Sequence, residues 1–334
     1  MRKILLTGGM GYIGSHAAVS LIEKGYKVVI FDNLSNSKLE TLDAIKKITG
    51  VRPEFVKGDI NSSSNLDEVF KNHRIEIVIH FAGLKAVGES MEKPLEYFQT
   101  NLTGTINLLN LMKVHDIKRI VFSSSATVYG KPKYLPLDEI HTTCPENPYG
   151  ESKLYAENII KRYAETDPEF SSVILRYFNP VGAHGSGLIG ENPIDTPNNL
   201  MPYVVKVVYG EFEHLNIFGN DYPTFDGTGV RDYIHIQDLV EGHELALDLC
   251  FKEKGFHVFN LGTGKGSSVM DVVKTCEKIS KKKVDLVFSS RRFGDVAETY
   301  ATALKAEKLL HWKATRDLND MCESALNYGK NLYE

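Results

Sequence analysis

The chain has 334 residues, 42% of them hydrophobic and 25% charged, with a formal net charge of −4. That length implies one large domain with a smaller companion, and the mild acidity offers no basic footprint for nucleic acid. No stretch approaches the ~20 consecutive apolar residues of a membrane span, and four scattered cysteines (Cys144, Cys250, Cys276, Cys322) without a C-x-x-C pair suggest reduced thiols in a cytoplasmic protein.

Taken in chain order, the first half alternates strands and helices. Lys3–Thr7 is a short apolar run that suits a strand covered on both faces. It breaks at Thr7 and Gly8, which argues for a first strand rather than a secretory signal. Tyr12–Lys24 has helical spacing and stops at Gly25, followed by a strand over Val28–Phe31. A helix over Leu39–Ile48, a strand over Glu54–Val56 and a helix over Leu66–Asn72 come next. A strand over Ile75–Phe81 then leads to one long helix, Pro94–His115. Strand Arg119–Ser124, helix Pro148–Glu165 and strand Val173–Phe178 complete the repeat. Such alternation predicts βαβ units in a doubly wound parallel sheet.

Beyond residue 178 the texture changes. Residues 179–200, rich in Gly, Pro and Asn, read as a long loop of a kind that is usually functional or disordered. Helices follow near Met201–Val208, Ile236–Phe251, Val269–Ile279, Leu304–Leu310 and Leu318–Tyr328, with strands near Phe256–Asn260 and Val284–Phe288. The expectation is an α/β chain with a Rossmann-type domain over 1–178, to which about 236–262 return. A smaller C-terminal α/β substrate domain lies mainly over 179–334.

Residues 7–14, TGGMGYIG, space Gly8, Gly11 and Gly14 as G-x-x-G-x-x-G between the first strand and the first helix. Glycines there allow a tight turn and let a pyrophosphate reach backbone amides at a positive helix end. Asp32 ends the second strand, where a carboxylate accepts from both ribose hydroxyls of NAD and repels the 2′-phosphate of NADP. The residues therefore point to a dinucleotide site selective for NAD. A second glycine-rich stretch, GTGKGSS at 262–268, lacks the Ser or Thr after Lys265 that a phosphate loop requires, and reads as a tight turn into a helix. The eleven histidines show no H-E-x-x-H spacing, so no metal site is expected.

NPYGESK at 147–153 sets Tyr149 four residues before Lys153. On a helix the two share a face, and a cation there favours a phenolate that can serve as a base. The pair alone is weak evidence. Together with the glycine spacing and Ser125 it resembles the extended short-chain dehydrogenase/reductase family. HFAGLKAVGES (80–90), FSSSATVYG (122–130), RYFNPVGAH (176–184), PNNLMPY (197–203), IFGNDYPT (217–224) and GTGVRDYIH (227–235) are similar to its UDP-glucose 4-epimerase branch.

The resemblance implies that Tyr149 takes the proton of the sugar 4-hydroxyl while hydride leaves C4 for a retained NAD. Lys153 would hold the nicotinamide ribose and lower the Tyr149 pKa, and Ser125 would bond the sugar oxygen. NAD contacts would fall on Gly8, Gly11, Tyr12, Ile13, Gly14, Asp32, Asn33, Asn36, Ser37, Asp59, Ile60, Phe81, Ala82, Gly83, Lys85, Tyr149, Lys153 and Phe178. UDP-sugar contacts would fall on Ser125, Asn179, Asn199, Leu200, Asn216, Phe218, Arg231, Tyr233, Arg292 and Asp295. Arg231 and Arg292 suit a diphosphate, because guanidinium forks match phosphate geometry.

Thr299 stands where many such epimerases place a bulky tyrosine against the sugar's 2-substituent. The resemblance thus implies that UDP-GlcNAc and UDP-GalNAc are accepted beside UDP-galactose and UDP-glucose. It also implies a homodimer pairing the helices at about 94–115 and 148–165, for which Leu95, Phe98, Leu102 and Leu109 supply apolar spacing, although these could equally face the sheet. Two alternatives remain: a sugar-nucleotide 4,6-dehydratase and a non-catalytic NAD-sensing regulator. The first needs a carboxylate after the Ser/Thr, where this chain has Ala126 and Thr127, and the second typically lacks the Ser/Tyr/Lys set present here.

Overall fold

The computed structural model describes residues 2–194, 197–292 and 294–334. Its centre is a sheet of seven parallel strands. In chain order these are β1 (Lys3–Thr7), β2 (Lys27–Asp32), β3 (Glu54–Lys57), β4 (Ile77–His80), β5 (Arg119–Ser125) and β6 (Ser171–Tyr177). The chain then adds β7 (Asn179–Val181), β8 (Leu215–Phe218) and β9 (Val230–His235) before the seventh strand of the sheet, β10 (Gly255–Leu261). The spatial order is β10-β6-β5-β4-β1-β2-β3. β1 pairs β2 on one side and β4 on the other, so the order reverses between β1 and β4.

Residue parity along the strands decides which core each side chain joins, since neighbours on a strand face opposite ways. Ile4, Leu6, Val28, Ile30, Ile77, Ile79, Val173 and Leu175 pack under the helices Tyr12–Glu23, Thr41–Thr49 and Ile236–Lys252. Leu5, Val29, Val78, Ile120, Phe122 and Ile174 pack under Ser63–Asn72, Gly104–Val114 and Pro148–Thr166. Both faces are covered, which is why the strands read as unbroken apolar runs.

The remaining strands, β11 (Gly266–Ser268), β12 (Leu286–Ser289) and β13 (Glu298–Thr299), build small sheets beside the large one. β9 is paired by β7, β11 and β13, and β8 by β12. Their core is a separate cluster formed with the helices Leu200–Val208, Val269–Ser280 and Leu318–Tyr333.

Several expectations need correction. The long helix is interrupted: Pro94–Tyr97 and Gly104–Val114 flank a wider π turn over Phe98–Thr103, and a short helix, Val87–Glu92, precedes them. β8, β9, β11 and β13 were not anticipated, because two to six residues paired at domain margins carry no clear periodicity. β5 extends through Ser125, placing that residue on the strand rather than after it. Within 179–200 the first three residues form β7, while 195 and 196 lie outside the described residues. The stretch 262–268 does turn into a helix, capped by Ser268 and Asp271. A buried protein carboxylate occupies the turn: Asp232 accepts from the amides of Thr263 (2.8 Å), Gly264 (3.0 Å) and Ala301 (3.1 Å). Burial raises its pKa against those bonds.

Behind the carboxyl end of β5 lies a buried ion pair. Arg176 donates to Glu157 at 2.6 and 2.9 Å and to the Tyr129 hydroxyl at 3.2 Å. Ser124 donates to the same carboxylate, so the strand leading to Ser125 is tied to the helix Pro148–Thr166. Removing one partner strands a buried charge, which typically costs about 3–5 kcal/mol. Arg176→Met is therefore expected to lower the urea midpoint by that equivalent. Arg162→Met, which breaks an exposed pair with Glu165, should leave the midpoint in place.

Candidate functional site

The site is built from loops at the carboxyl ends of the parallel strands. After β1 the chain turns at Gly8, whose φ of +68° is left-handed. A Cβ there would lie 2.6 Å from the Ala82 nitrogen, so the loops after β1 and β4 touch backbone to backbone. A Cβ on Gly14 would lie 2.5 Å from the Gly8 carbonyl, so that glycine lets the helix close on the turn. Gly11 differs. Its φ is −69°, and a Cβ would meet only the Gly8 carbonyl at 3.4 Å. Nothing in the protein demands glycine there. The residue caps a helix that has no side-chain cap, and it keeps open the space in front of the first-turn amides. That bare cradle fits a pyrophosphate.

Asp32 ends β2 beside it, nearly buried, accepting from the amides of Met10 (3.0 Å) and Leu34 (2.8 Å) and from the Ser37 hydroxyl (3.0 Å). Asn33 donates to Asp59 at 2.9 Å, joining the ends of β2 and β3.

On the other side of the switch between β1 and β4, Phe81–Lys85 is pinned by Asn101 from the π turn. Asn101 accepts from the Leu84 amide (2.8 Å) and donates to the Leu84 carbonyl (3.0 Å) and the Ser152 hydroxyl (2.9 Å). The wider turn sets Asn101 between this loop and the helix Pro148–Thr166. Asn147 caps that helix through the Gly150 amide, and Pro148 starts it.

Tyr149 and Lys153 are both buried on one face of the helix, and Ser125 is at the end of β5. Lys153 donates to the Ser123 carbonyl at 2.9 Å. Burial pushes its pKa down to about 8, with Glu157 opposing. The Tyr149 pKa is raised by burial, opposed by a hydrogen bond from Ser125 and the field of Lys85. Desolvation is the larger effect, and the field of Lys85 is one that favours the phenolate.

One cavity of about 1440 Å³ joins these parts. Its walls include every residue expected to contact the dinucleotide, from Gly8 to Phe178, together with Ser125, Asn179 and Asn199. That volume exceeds the ~300–1,000 Å³ of a one-ligand pocket. The other expected sugar-nucleotide contacts form a second cluster around β8, β9 and β13. There Arg292 lies 3.8 Å over the Phe218 ring, and Arg231 stands 3.7 Å from Asp295 and in register with Thr299. Asn216 reaches the Tyr203 hydroxyl at 3.5 Å. Leu200 opens the helix whose N-cap is Asn199. Tyr233 is buried in the C-terminal core.

Tyr300 does not turn toward Thr299. Its ring lies beside Gly266, where a Cβ would be 3.4 Å from the ring, and its carbonyl accepts from the Leu137 amide. Asn101, Tyr177 and Glu191 are site residues that the sequence alone does not single out. Each acts through partners distant in the chain, which single-sequence spacing does not reveal. Among the described residues, no group of three or more His, Cys, Asp or Glu could hold a metal ion, and no helix is long and apolar enough to cross a membrane.

Residues 5–325 match the family model described as GDP-mannose 4,6 dehydratase. The chain is 53% identical to the UDP-glucose 4-epimerase of Dictyostelium discoideum, covering 97% of this chain and 94% of that protein. It superposes with a TM-score of 0.96 on the UDP-glucose 4-epimerase of Bifidobacterium longum in complex with NAD+ and UDP, at 48% identity and 98% coverage of each chain. It is also similar to the UDP-Glc/GlcNAc 4-epimerase of Campylobacter jejuni, with a TM-score of 0.85 and 33% identity over 99% of this chain and 100% of that one.

Gly11→Ala tests the cradle. The variant is expected to fold with wild-type circular dichroism, because its methyl group meets only ordinary contacts. NAD that co-purifies with it, measured after acid release, should fall at least tenfold.

Proposed function

The chain belongs to the NAD-dependent UDP-glucose 4-epimerases of the extended short-chain dehydrogenase/reductase family, and from this premise we propose how its residues divide the work. The enzyme interconverts UDP-galactose and UDP-glucose. The observation that carries the assignment of roles is that Ser125, Tyr149 and Lys153 share one cavity wall with the glycine cradle.

NAD, when bound, accepts hydride from C4 of the sugar and returns it to the opposite face. Gly8, Gly11 and Gly14 bring the first-turn amides of Tyr12 and Ile13 to the pyrophosphate, and Asp32 binds the adenosine ribose. Asn33, Asn36, Ser37, Asp59 and Ile60 enclose the adenine side. Phe81, Ala82, Gly83, Lys85 and Phe178 line the nicotinamide side.

Tyr149 accepts the 4-hydroxyl proton, and Ser125 bonds the sugar oxygen and steadies the phenolate. A buried phenol ionises reluctantly, so its proton transfer depends on nearby cations. Lys153 and Lys85 supply them. The 4-keto sugar is held through its UDP while the hexose rotates, so remote binding energy serves the reacting centre. Asn179, Asn199, Leu200, Asn216, Phe218, Tyr233 and Asp295 shape the nucleotide side, and Arg231 and Arg292 face the diphosphate. Residues 1–178 with about 236–262 serve the cofactor, and 179–334 mainly serve the sugar nucleotide. Ser125 is followed by Ala126 rather than a carboxylate, which disfavours dehydration of the sugar despite the description of the matching family model.

The reading of an open 2-substituent pocket rests on the small side chain of Thr299 and on Tyr300 packing beside Gly266. UDP-GlcNAc and UDP-GalNAc are therefore substrates, a reading supported by the dual-specificity name of the Campylobacter protein. The protein also forms a homodimer across the helices that carry Leu95 and Tyr155. Leu95, Met91 and Val87 are exposed, and Phe98 stacks on Tyr155 (ring centroids 6.1 Å apart). Leu109 instead faces the sheet core and takes no part. The free cysteines suit a cytoplasmic enzyme of galactose metabolism.

Two variants test these roles. Tyr149→Phe, with NAD content unchanged, is expected to lose at least 10²-fold in kcat with little change in KM, the range of a removed acid–base group. Thr299→Tyr is expected to abolish turnover of UDP-GlcNAc while sparing UDP-galactose, both followed by NMR of the products. Failure of the unaltered enzyme to epimerise UDP-GlcNAc would refute the open pocket.

A further inference from the structure

Glu191 lies on no strand or helix, yet its side chain is more than nine-tenths buried in the cavity wall. One carboxylate oxygen, Oε1, takes two donors. Lys85 Nζ, on the loop after β4, is 2.7 Å away. Asn199 Nδ2, at the N-cap of the helix Leu200–Val208, is 2.6 Å away. The two donors come from opposite sides of the site, 106 and 8 residues away in the chain. The second oxygen, Oε2, is buried and has no hydrogen-bond partner among the described residues. Buried acceptors are seldom left so, and one in a cavity wall marks where a donor arrives with a ligand.

We propose that Glu191 is a positioning residue that latches the cofactor side of the site to the sugar-nucleotide side. It holds Lys85 and Asn199 on a single oxygen. The proposal rests on the roles assigned above to Lys85 and Asn199. Either ligand that orders its own side thereby orders the other, and each should bind better when the other is present. Such coupling is reciprocal by thermodynamic necessity. The latch also reaches the chemistry, because the Lys85 charge that Glu191 partners lies in the field of the Tyr149 phenol. Glu191 does this without touching the reacting atoms.

The test uses the purified enzyme with its retained NAD and adds UDP, which carries no reacting sugar. The loss of NAD on prolonged dilution is timed with and without UDP, and UDP affinity is measured by calorimetry on NAD-loaded and NAD-stripped protein. In the wild type, UDP should slow NAD loss at least tenfold and NAD should tighten UDP by a similar factor. In Glu191→Ala both factors should fall below about twofold, with the melting temperature of the stripped protein unchanged. Glu191→Gln keeps an acceptor for Asn199 but loses the charge for Lys85, and should retain part of the coupling. Wild-type coupling that survives in both variants would overturn the latch, as would a wild type without coupling. A uniform weakening of both ligands together with a lowered melting temperature would also overturn it, since that marks a merely structural role. If the wild type bound neither NAD nor UDP, the underlying functional reading would fail instead.

Discussion

The constraint on which the molecule depends is the parallel sheet with its order reversed between β1 and β4. Parallel strands joined by crossovers send every carboxyl end to one edge. Thr7, Asp32, Lys57, His80, Ser125 and Tyr177 therefore finish along one line, although 170 positions separate the first from the last. At the reversal, the loops after β1 and β4 leave in opposite directions and open a crevice. Gly8 against Ala82 fixes its width at backbone contact. The glycine cradle occupies one bank, and Lys85 and the Ser125–Tyr149–Lys153 group occupy the other.

Holding those groups requires buried polar structure, and the protein supplies it in layers behind the site. Asn101 satisfies both the amide and the carbonyl of Leu84 and also reaches Ser152 on the helix of Tyr149. The Arg176–Glu157 pair ties Ser124 to that same helix. Tyr177 shares a hydrogen bond with Ser123, whose carbonyl anchors Lys153. These networks leave few rotamers open to the three side chains that face the cavity. Burial also sets their chemistry: it makes the Tyr149 phenol harder to ionise and brings Lys153 down to about 8. Positive charge close to the phenol then becomes decisive for proton transfer.

Much of this could be read from the chain. The apolar runs of β1, β4 and β5 have to be doubly covered, and helical spacing after Gly11 marks the start of the first helix. The glycines of the first turn carry a steric meaning that the structure sharpens residue by residue. Tyr149 and Lys153 fall on one helical face, as their spacing requires. What stayed hidden depends on tertiary placement. The π turn at Phe98–Thr103 leaves no mark in the hydrophobic pattern, yet it positions Asn101. β9 is six residues bound by three partners from distant segments, and such a strand is specified by its neighbours. Glu191 joins Lys85 across 106 residues, beyond the reach of any local rule. Spacing brings Lys153 close to Tyr149 but says nothing of the desolvation that raises the Tyr149 pKa.

The central claim is that a hydrogen leaves C4 and returns to the same carbon within one closed site. It is tested most directly with UDP-galactose carrying deuterium at C4, incubated with the purified protein without added cofactor. The account predicts UDP-glucose that retains the deuterium at C4, because the label never meets solvent. Product whose C4 carries solvent hydrogen, or a 4-keto-6-deoxy sugar nucleotide in place of UDP-glucose, would contradict it.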